Sequence, residues 1–475
     1  MTPRCAPGDE GLVRAVLEGR YPSETVKESA IRVVRRVTPP GGAALYLKLF
    51  RDRGIGAAVR RLVADRAARE YAVLDHLRRA GVPAAEPVAC GSSDGSSFLI
   101  TREIPRAKTL KEHLLEVDRV IRKAFMAHLG RFLRAVHDAG VRHDDLHLGN
   151  ILATGSGDPA KLFLVDVHRA SIGASLNRAD RVEGLGFMLH SLYTLVSSGD
   201  QIRFLRAYWG ERLSKDLLRD LRAAFASARE RYAEDRAGRC LVTGREFERS
   251  GGMNLRRPLT AEAAGKLLEA PPLREVKSVG RRRLWLAAPD RFVREGPRAK
   301  RIWRNAHALA ARHVATPRLW ARAGDRILGE WLPDAAPLNE HLSRRPGSRR
   351  RLAEALARFV AGMHRSGVHH GDLKANNILV RSASAKAPAG CEFEFFVIDL
   401  DRAEFFAEVP LERRLSDLAQ LNAALGPPVT VGDRLAFYRA YAGREADWIR
   451  NGKDRVKEIM RRTRARRHVW PTREA

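Results

Sequence analysis

The sequence predicts an α+β fold present twice in tandem, each copy a small strand-rich N-lobe followed by a larger helical C-lobe. An internal repeat is the first observation behind this. Leu129–Leu152 (LGRFLRAVHDAGVRHDDLHLGNIL) and Leu356–Leu379 (LARFVAGMHRSGVHHGDLKANNIL) align without a gap, with 12 of 24 positions identical. The offset of 227 residues is far too long for a solenoid and is that of a duplicated domain. The second observation is the order of hydrophobic patterns in each copy, strand-like before helical. The third is length: 475 residues suffice for two to four domains of roughly 100–200 residues each.

The repeat extends past the central match. An insertion in the Ser- and Ala-rich segment 381–390 shifts the register. After it LVDVHRA (Leu164–Ala170) faces VIDLDRA (Val397–Ala403), and GDQIRFLRAYWG (Gly199–Gly210) faces GDRLAFYRAYAG (Gly432–Gly443). Weaker echoes pair Thr25–Val37 with Glu275–Ala287 and Ala80–Ala89 with Arg312–Ala321. In the first copy, alternation over Ile31–Val37 predicts a strand, the Pro-Pro-Gly-Gly of Pro39–Gly42 a turn, and Ala44–Phe50 a second strand. Leu62, Tyr71, Leu74 and Leu77 recur at helical spacing and predict an amphipathic helix over about Ala57–Ala80. A further strand is expected at Ser97–Glu103, ended by Pro105. Beyond it the pattern is mainly helical, with a loop and strand around the matched motifs. Gly- and Pro-rich punctuation within Ser250–Pro272 places the boundary. The first domain is read as 1–250 (N-lobe about 1–105, C-lobe about 106–250). A linker follows at 251–272, then the second domain at 273–475 (N-lobe about 273–333, C-lobe about 334–475).

Apolar residues make up 44% and charged residues 30% of the chain, a balance that supports packed cores and excludes a disordered chain, a collagen or a coiled coil. No apolar run reaches the ~18 residues of a membrane-spanning helix. The N-terminal stretch lacks the apolar core of a secretory signal. The four cysteines, Cys5, Cys90, Cys240 and Cys391, show no CxxC and no metal-ligand spacing, so reduced thiols in a cytoplasmic protein are expected. Lys and Arg number 86 against 56 Asp and Glu, a net charge of +30. Only 14 of the basic residues are Lys. GC-rich codon usage alone produces such an Arg bias, so the charge reads either as a solvated surface or as attraction to nucleic acid, anionic lipid or a phosphorylated sugar. No aromatic platform or nucleic-acid module accompanies it, which disfavours nucleic acid. Ile459–Trp470 (IMRRTRARRHVW) is basic with apolar ends. It fits a solvated tail or a peripheral anchor, where each Lys or Arg near anionic lipid contributes about 1 kcal/mol.

The repeated loop carries the chemistry. His143-Asp144-Asp145-Leu146-His147-Leu148-Gly149-Asn150 is followed, after an apolar stretch, by Asp166. The second copy reads His370-Gly371-Asp372-Leu373-Lys374-Ala375-Asn376-Asn377 and then Asp399. Both fit H-x-D-L-x-x-x-N followed by an Asp. Phosphoryl transfer from a nucleotide asks little more of a protein, because positioning and charge neutralisation stabilise its transition state. One carboxylate (Asp145, Asp372) orients the acceptor hydroxyl and takes its proton. The amide oxygen (Asn150, Asn377) and a second carboxylate (Asp166, Asp399) hold Mg²⁺ on the triphosphate. Turn-capping is the competing explanation for any one such loop, but two copies at matching places make it a poor one.

This pattern resembles the protein-kinase-like fold, nearer its small-molecule and sugar-kinase branches, since Asp166-Val167-His168 and Asp399-Leu400-Asp401 replace Asp-Phe-Gly. More specifically, each half is similar to the lipopolysaccharide kinases that phosphorylate heptose or Kdo in the inner core of bacterial lipopolysaccharide. The resemblance rests on GVRHDDLHLGNIL and GVHHGDLKANNIL, on the D-x-[HD]-R-A pieces, on Trp303–Ala321 and on the F-x-R-A-Y segments ending at Tyr208 and Tyr441. It implies two tandem kinase-like domains and an ATP- and Mg²⁺-dependent transferase. The acceptor it implies is lipopolysaccharide core or another anionic glycolipid, met at the cytoplasmic face of the inner membrane. It also implies that Lys48 is the strand lysine that contacts the α- and β-phosphates and that Glu70 is its helix partner. Alignment puts Arg294 at the strand lysine and Ile302 at the helix glutamate of the second half.

The sequence departs from the kinase pattern in three ways. Neither half has a GxGxxG phosphate loop. The second half lacks the lysine–glutamate pair, which nominates it as a regulatory pseudokinase, although an arginine can still meet phosphates. The first half has Asp144 where the second has Gly371, which raises a carboxyl pKa only if the Asp144–Asp145 pair is desolvated. H-x-D-L-[HK]-x-x-N is also shared with kinases of soluble small molecules such as aminoglycosides and choline, so that class of acceptor stays open. His143 and His370 are expected to brace the loop through backbone hydrogen bonds, and His137 and His364 to be satisfied core histidines.

Overall fold

The computed structural model describes residues 4–5, 8–28, 32–51, 66–93, 96–155, 160–193, 195–210, 212–344, 349–382, 392–426, 429–443 and 445–466. Ile31, the first part of the expected helix (57–65), most of the 381–390 insertion, Cys391 and the tail from 467, Trp470 included, lie outside them. The chain divides into two compact units, Met1–Ala228 and Arg229–Ala475.

In the first unit the expected strands form at Arg32–Val37, Leu45–Arg51 and Ser96–Arg102. They join Arg4–Cys5, Pro87–Ser93 and Ser23–Glu28 in a six-stranded antiparallel sheet. Across it the order is Arg4–Cys5, Pro87–Ser93, Ser96–Arg102, Leu45–Arg51, Arg32–Val37, Ser23–Glu28. Strand side chains alternate between faces, and the two faces bury different partners. Leu45 and Leu47 pack with Val13 and Val16 of the helix Glu10–Leu17. Phe50 packs on the other face with Tyr71, Leu74 and Leu77 of the helix Arg66–Arg79. Lys48 shares the face of Phe50 and therefore points at that helix.

The C-lobe of this unit is mainly helical. Its helices start where short polar residues cap them: Thr109, Asn177 and Ser197 each accept from the backbone N–H three residues on, and Glu112, Asp180 and Asp200 close the reciprocal bond. The helix Arg119–Asp138 lies tightly along Ser198–Trp209 at Gly130, where a Cβ would sit 2.4 Å from the Phe204 carbonyl oxygen. The helix then ends at Gly140, in a left-handed conformation (φ +75°). A strand of three residues, Val141–His143, leads into the loop and pairs with Ala170–Ile172. The loop closes in a 3₁₀ turn at Leu148–Asn150 and runs into the hairpin of Ile151–Thr154 with Lys161–Leu164.

The second unit repeats this plan. Its sheet has seven antiparallel strands in the order Phe247–Ser250, Met253–Arg256, Leu319–Ala323, Arg326–Glu330, Arg291–Glu295, Arg282–Ala288, Arg274–Val279. The helix Ala299–Ala311 buries Ile302 and Trp303 on one face, and Ala261–Glu269 buries Ala264 and Leu268 on the other. The segment read from sequence as a linker, 251–272, is thus folded into this unit, and the first domain does not run to 250. Gly251-Gly252, both at positive φ, turn a hairpin between Phe247–Ser250 and Met253–Arg256. Glycine pairs serve tight hairpin turns as readily as linkers, and the sequence does not tell the two apart.

Gly367 (φ +78°) stands in the second unit where Gly140 stands in the first. Each lets the backbone pass against the strand after the motif aspartate. Gly173 N–H donates to Gly140 O at 2.9 Å, and Phe406 N–H to Gly367 O at 2.8 Å. A Cβ would lie 2.2 Å from Gly173 O in one and 2.0 Å from Phe406 O in the other. Gly140→Ala or Gly367→Ala is therefore expected to cost about 2–4 kcal/mol, from left-handed strain and overpacking together. Denaturant unfolding of each variant against the unaltered chain measures it.

Candidate active sites

In the first unit five expected residues converge: Lys48, Glu70, Asp145, Asn150 and Asp166. Lys48 Nζ bonds the fully buried carboxylate of Glu70 and lies 3.4 Å from Asp166 Oδ1. Asp166 also receives Arg32 through both terminal nitrogens, at 2.7 and 3.4 Å, and its Oδ1 is 3.0 Å from His168 Nδ1. Burial opposes ionisation of this carboxyl. His168, Lys48 and Arg32 outweigh it and hold the group far below the usual carboxylate range. Asp166 adopts φ +54°, a conformation that costs a non-glycine residue energy and persists where its surroundings impose it. The Asn150 amide donates to Asp145 O at 2.9 Å, while Val165 N–H donates to Asn150 O at 2.9 Å. These two bonds tie the loop to the aspartate strand, with Asp145, Asn150 and Asp166 at their junction.

The second unit builds the same junction. Asn377 Nδ2 donates to Asp372 O (2.9 Å) and Oδ2 (3.1 Å), and Ile398 N–H donates to Asn377 O at 3.0 Å. Lys374 Nζ lies 3.0 Å from Asp372 Oδ2, and Asp399 repeats the left-handed backbone at φ +59°. Here the differences begin. Arg294 occupies the place of Lys48, opposite Leu284 as Lys48 is opposite Val34. Burial lowers its pKa, and the nearby charges of Asp399 and Asp401 favour its charged form. Ile302 is buried apolar surface at the glutamate position. The helix is instead secured to the aspartate turn by Asn305, whose amide donates to Leu400 O at 2.8 Å.

His143 and His370 act as loop braces. Each accepts the backbone N–H of the loop aspartate at Nδ1, from Asp145 at 3.1 Å and Asp372 at 3.3 Å, and His370 Nε2 bonds Ile398 O at 2.9 Å. His137 and His364 pair with the hydroxyls of Tyr208 and Tyr441. Asp144 is exposed and bonded to Arg142 Nε at 2.9 Å, so the condition that would couple it to Asp145, a desolvated pair, is not met.

One anchor escapes the sequence reading. Asp417, fully buried in the helix Leu411–Ala424, accepts the backbone N–H groups of His370 (2.9 Å) and Gly371 (3.1 Å) and lies 3.2 Å from His364 Nε2 and 3.0 Å from His369 Nδ1. Gln420, one turn on, bonds Leu373 N–H and Gly371 O. In the repeat register the first copy has Gly184 in place of Asp417, so a comparison of the halves hides it. The only signal was an acidic residue among the apolar positions of a helix.

The donor set suits Mg²⁺ brought in by a nucleotide. Such an ion is held by one or two protein oxygens and by phosphates rather than by a cage of side chains. Asp166 with Asn150, and Asp399 with Asn377, offer two each. Among the described residues no cluster of three or more His, Cys, Asp or Glu takes a metal-binding arrangement.

Comparison with known proteins gives the family. The lipopolysaccharide kinase (Kdo/WaaP) family matches residues 30–229 and 290–441. The lipopolysaccharide core heptose(I) kinase WaaP of Escherichia coli is 25% identical over 196 residues, 37% of this chain and 74% of that protein. WaaP of Pseudomonas aeruginosa is 27% identical over 245 residues, 46% of this chain and 90% of that one. The 3-deoxy-D-manno-octulosonic acid kinase of Vibrio cholerae is 32% identical over 114 residues, 22% of this chain and 45% of that one. The chain is a kinase and belongs to the lipopolysaccharide kinase (Kdo/WaaP) family.

Proposed function

We propose that the protein transfers the γ-phosphoryl group of ATP to a sugar hydroxyl of the lipopolysaccharide inner core, on heptose or Kdo. The observation that carries this reading is the junction of loop aspartate, loop asparagine and left-handed aspartate, present in both units. Asp145 and Asp372 are the bases: each stands on a braced loop, its carboxylate placed to orient the acceptor hydroxyl and receive its proton. Asn150 with Asp166, and Asn377 with Asp399, would hold Mg²⁺, which when bound neutralises charge on the triphosphate. Lys48, fixed by Glu70, meets the α- and β-phosphates in the first unit, and Arg294 does so in the second. The acceptor is anionic, which suits a chain of net charge +30. Among the described residues no helix is long and apolar enough to cross a membrane. We place the protein in the cytoplasm, in peripheral contact with the inner membrane.

The test is ATP turnover on purified inner-core acceptors. Asp145→Ala with Asp372→Ala should lower kcat by a factor on the order of 10²–10⁴, the contribution of a positioned base, while either single variant reports the share of its own unit. Wild-type turnover in the double variant rejects the reading. The absent lysine–glutamate pair favours a second reading, in which the second unit is regulatory. Full turnover by Asp372→Ala alongside inactivity of Asp145→Ala would establish that one.

A further inference from the structure

Arg32 and Arg282 hold one position in the two sheets. Arg32 stands two residues before Val34, the cross-strand partner of Lys48, and Arg282 two residues before Leu284, the partner of Arg294. Each crosses from its sheet to the turn that carries the motif aspartate. Arg32 forks onto Asp166 at 2.7 and 3.4 Å. Arg282 reaches Asp401, two residues past Asp399, at 3.5 Å, and Arg298 meets the same carboxylate at 3.3 Å. Asp401 is itself buried. Elsewhere the halves have diverged at this level: lysine against arginine, glutamate against isoleucine, His168 against Asp401. An arginine spanning the same two elements has nevertheless been kept in both.

The sequence also shows what is missing beside it. Neither copy carries the glycine-rich loop whose backbone N–H groups would cover a triphosphate. The strand pairs in that place are Ser23–Glu28 with Arg32–Val37 and Arg274–Val279 with Arg282–Ala288. The turn of the second pair is Gly280-Arg281, and Arg282 and Arg283 follow it. A guanidinium presents a planar fork of N–H donors that matches a phosphate as well as a carboxylate, and it stays charged at any physiological pH.

We propose that Arg32 and Arg282 are phosphate-cover residues. They bridge the lobes onto Asp166 and Asp401 when the cleft is empty, and turn onto the phosphates when a nucleoside triphosphate enters, in the role glycine-rich backbone plays elsewhere. The inference rests on the reading of both clefts as nucleotide sites, and it adds a phosphate-specific contact to each. It also makes the guanidinium a competitor for the carboxylate that a divalent ion would need, so the swing onto phosphate frees Asp166.

The experiment is calorimetric titration of the full-length chain with the non-hydrolysable analogue AMP-PNP and Mg²⁺, and separately with adenosine, which has no phosphates. Arg32→Ala and Arg282→Ala together should weaken AMP-PNP about tenfold or more, the worth of a charge-assisted hydrogen bond, and leave adenosine affinity unchanged. Arg32→Lys, which keeps charge but not the fork, should recover part of the loss at the first unit. Unchanged AMP-PNP affinity in the double alanine variant overturns the proposal and leaves the nucleotide sites standing. Equal losses for AMP-PNP and adenosine overturn it in favour of a purely structural strap. No AMP-PNP binding by the unaltered chain overturns the nucleotide reading itself, and this proposal with it.

Discussion

Asp417→Ala is expected to destabilise the second unit by about 3–5 kcal/mol, the cost of removing one partner from a buried charge network. Four groups depend on this carboxylate: the backbone N–H of His370 and of Gly371, and the imidazoles of His364 and His369. Burial alone would push its carboxyl up. The hydrogen bond with His364, the contact with His369 and the two backbone N–H donors override that and hold it well below the usual carboxylate range. Without it, two N–H groups at the entrance of the loop lose their acceptor in a space closed to water. Asp417→Asn keeps one acceptor oxygen and the volume, so it should cost less than alanine. Denaturant unfolding separates the three proteins. If the second unit is active, the alanine variant should also lose kcat there without a matching change in KM, because the base is no longer held in place. A melting curve indistinguishable from the unaltered chain would dismiss Asp417 as an anchor.

The second large effect is acid sensitivity. Burial pushes His137 and His143 down to about 4 and His307 down to about 3, and it lowers His364 and His370 as well. An unfolded histidine titrates near 6.5. Between those values the unfolded chain binds protons that the folded one refuses. Each of these histidines therefore leaves stability intact above about pH 6.5 and drains it as pH falls toward its folded value, by about 1.4 kcal/mol per pH unit. In the first unit His137 and His143 together give a slope of roughly 3 kcal/mol per pH unit, a loss of about 6 kcal/mol by pH 4, comparable to the lower end of an ordinary folding free energy. Unfolding free energies measured from pH 7.5 to 5 should fall along this slope. His307→Phe offers a control: His307 packs edge-on between Phe247 and Trp303, at 4.8 and 4.4 Å, so a phenylalanine can fill its place and should flatten the profile of the second unit by one histidine's share. A stability flat across this range would contradict the burial of neutral imidazoles.

The sequence carried much of this fold because its signals were redundant. The turn at Pro39–Gly42 and the alternation on either side of it placed the lysine strand, and the doubled loop placed Asp145, Asn150, Asp166 and their counterparts. It failed where one residue type serves two ends. Gly251-Gly252 reads as a linker and turns a hairpin. Arg32 and Arg282 are two among many arginines until the sheet register aligns them. Asp417 and Asn305 anchor the loop and the helix through backbone atoms far away in sequence, and no periodicity records such bonds. Arg294 and Ile302 were legible as a departure, but not the asparagine tether that takes over from the missing pair.

The hairpin at 247–256 has a consequence for how this chain tolerates breakage. Phe247 belongs to the core of Arg229–Ala475, and its strand covers the flank of Met253–Arg256. A nick or truncation at 250 would strip that aromatic from Trp303 and His307 and leave a row of unpaired backbone groups along an open edge, the kind that recruits neighbouring chains. The glycines that look like an invitation to a protease sit in a two-residue turn with little slack to enter an active site. Limited digestion should therefore spare Gly251-Gly252, and a fragment started at 251 should aggregate where one carrying the whole hairpin stays dispersed.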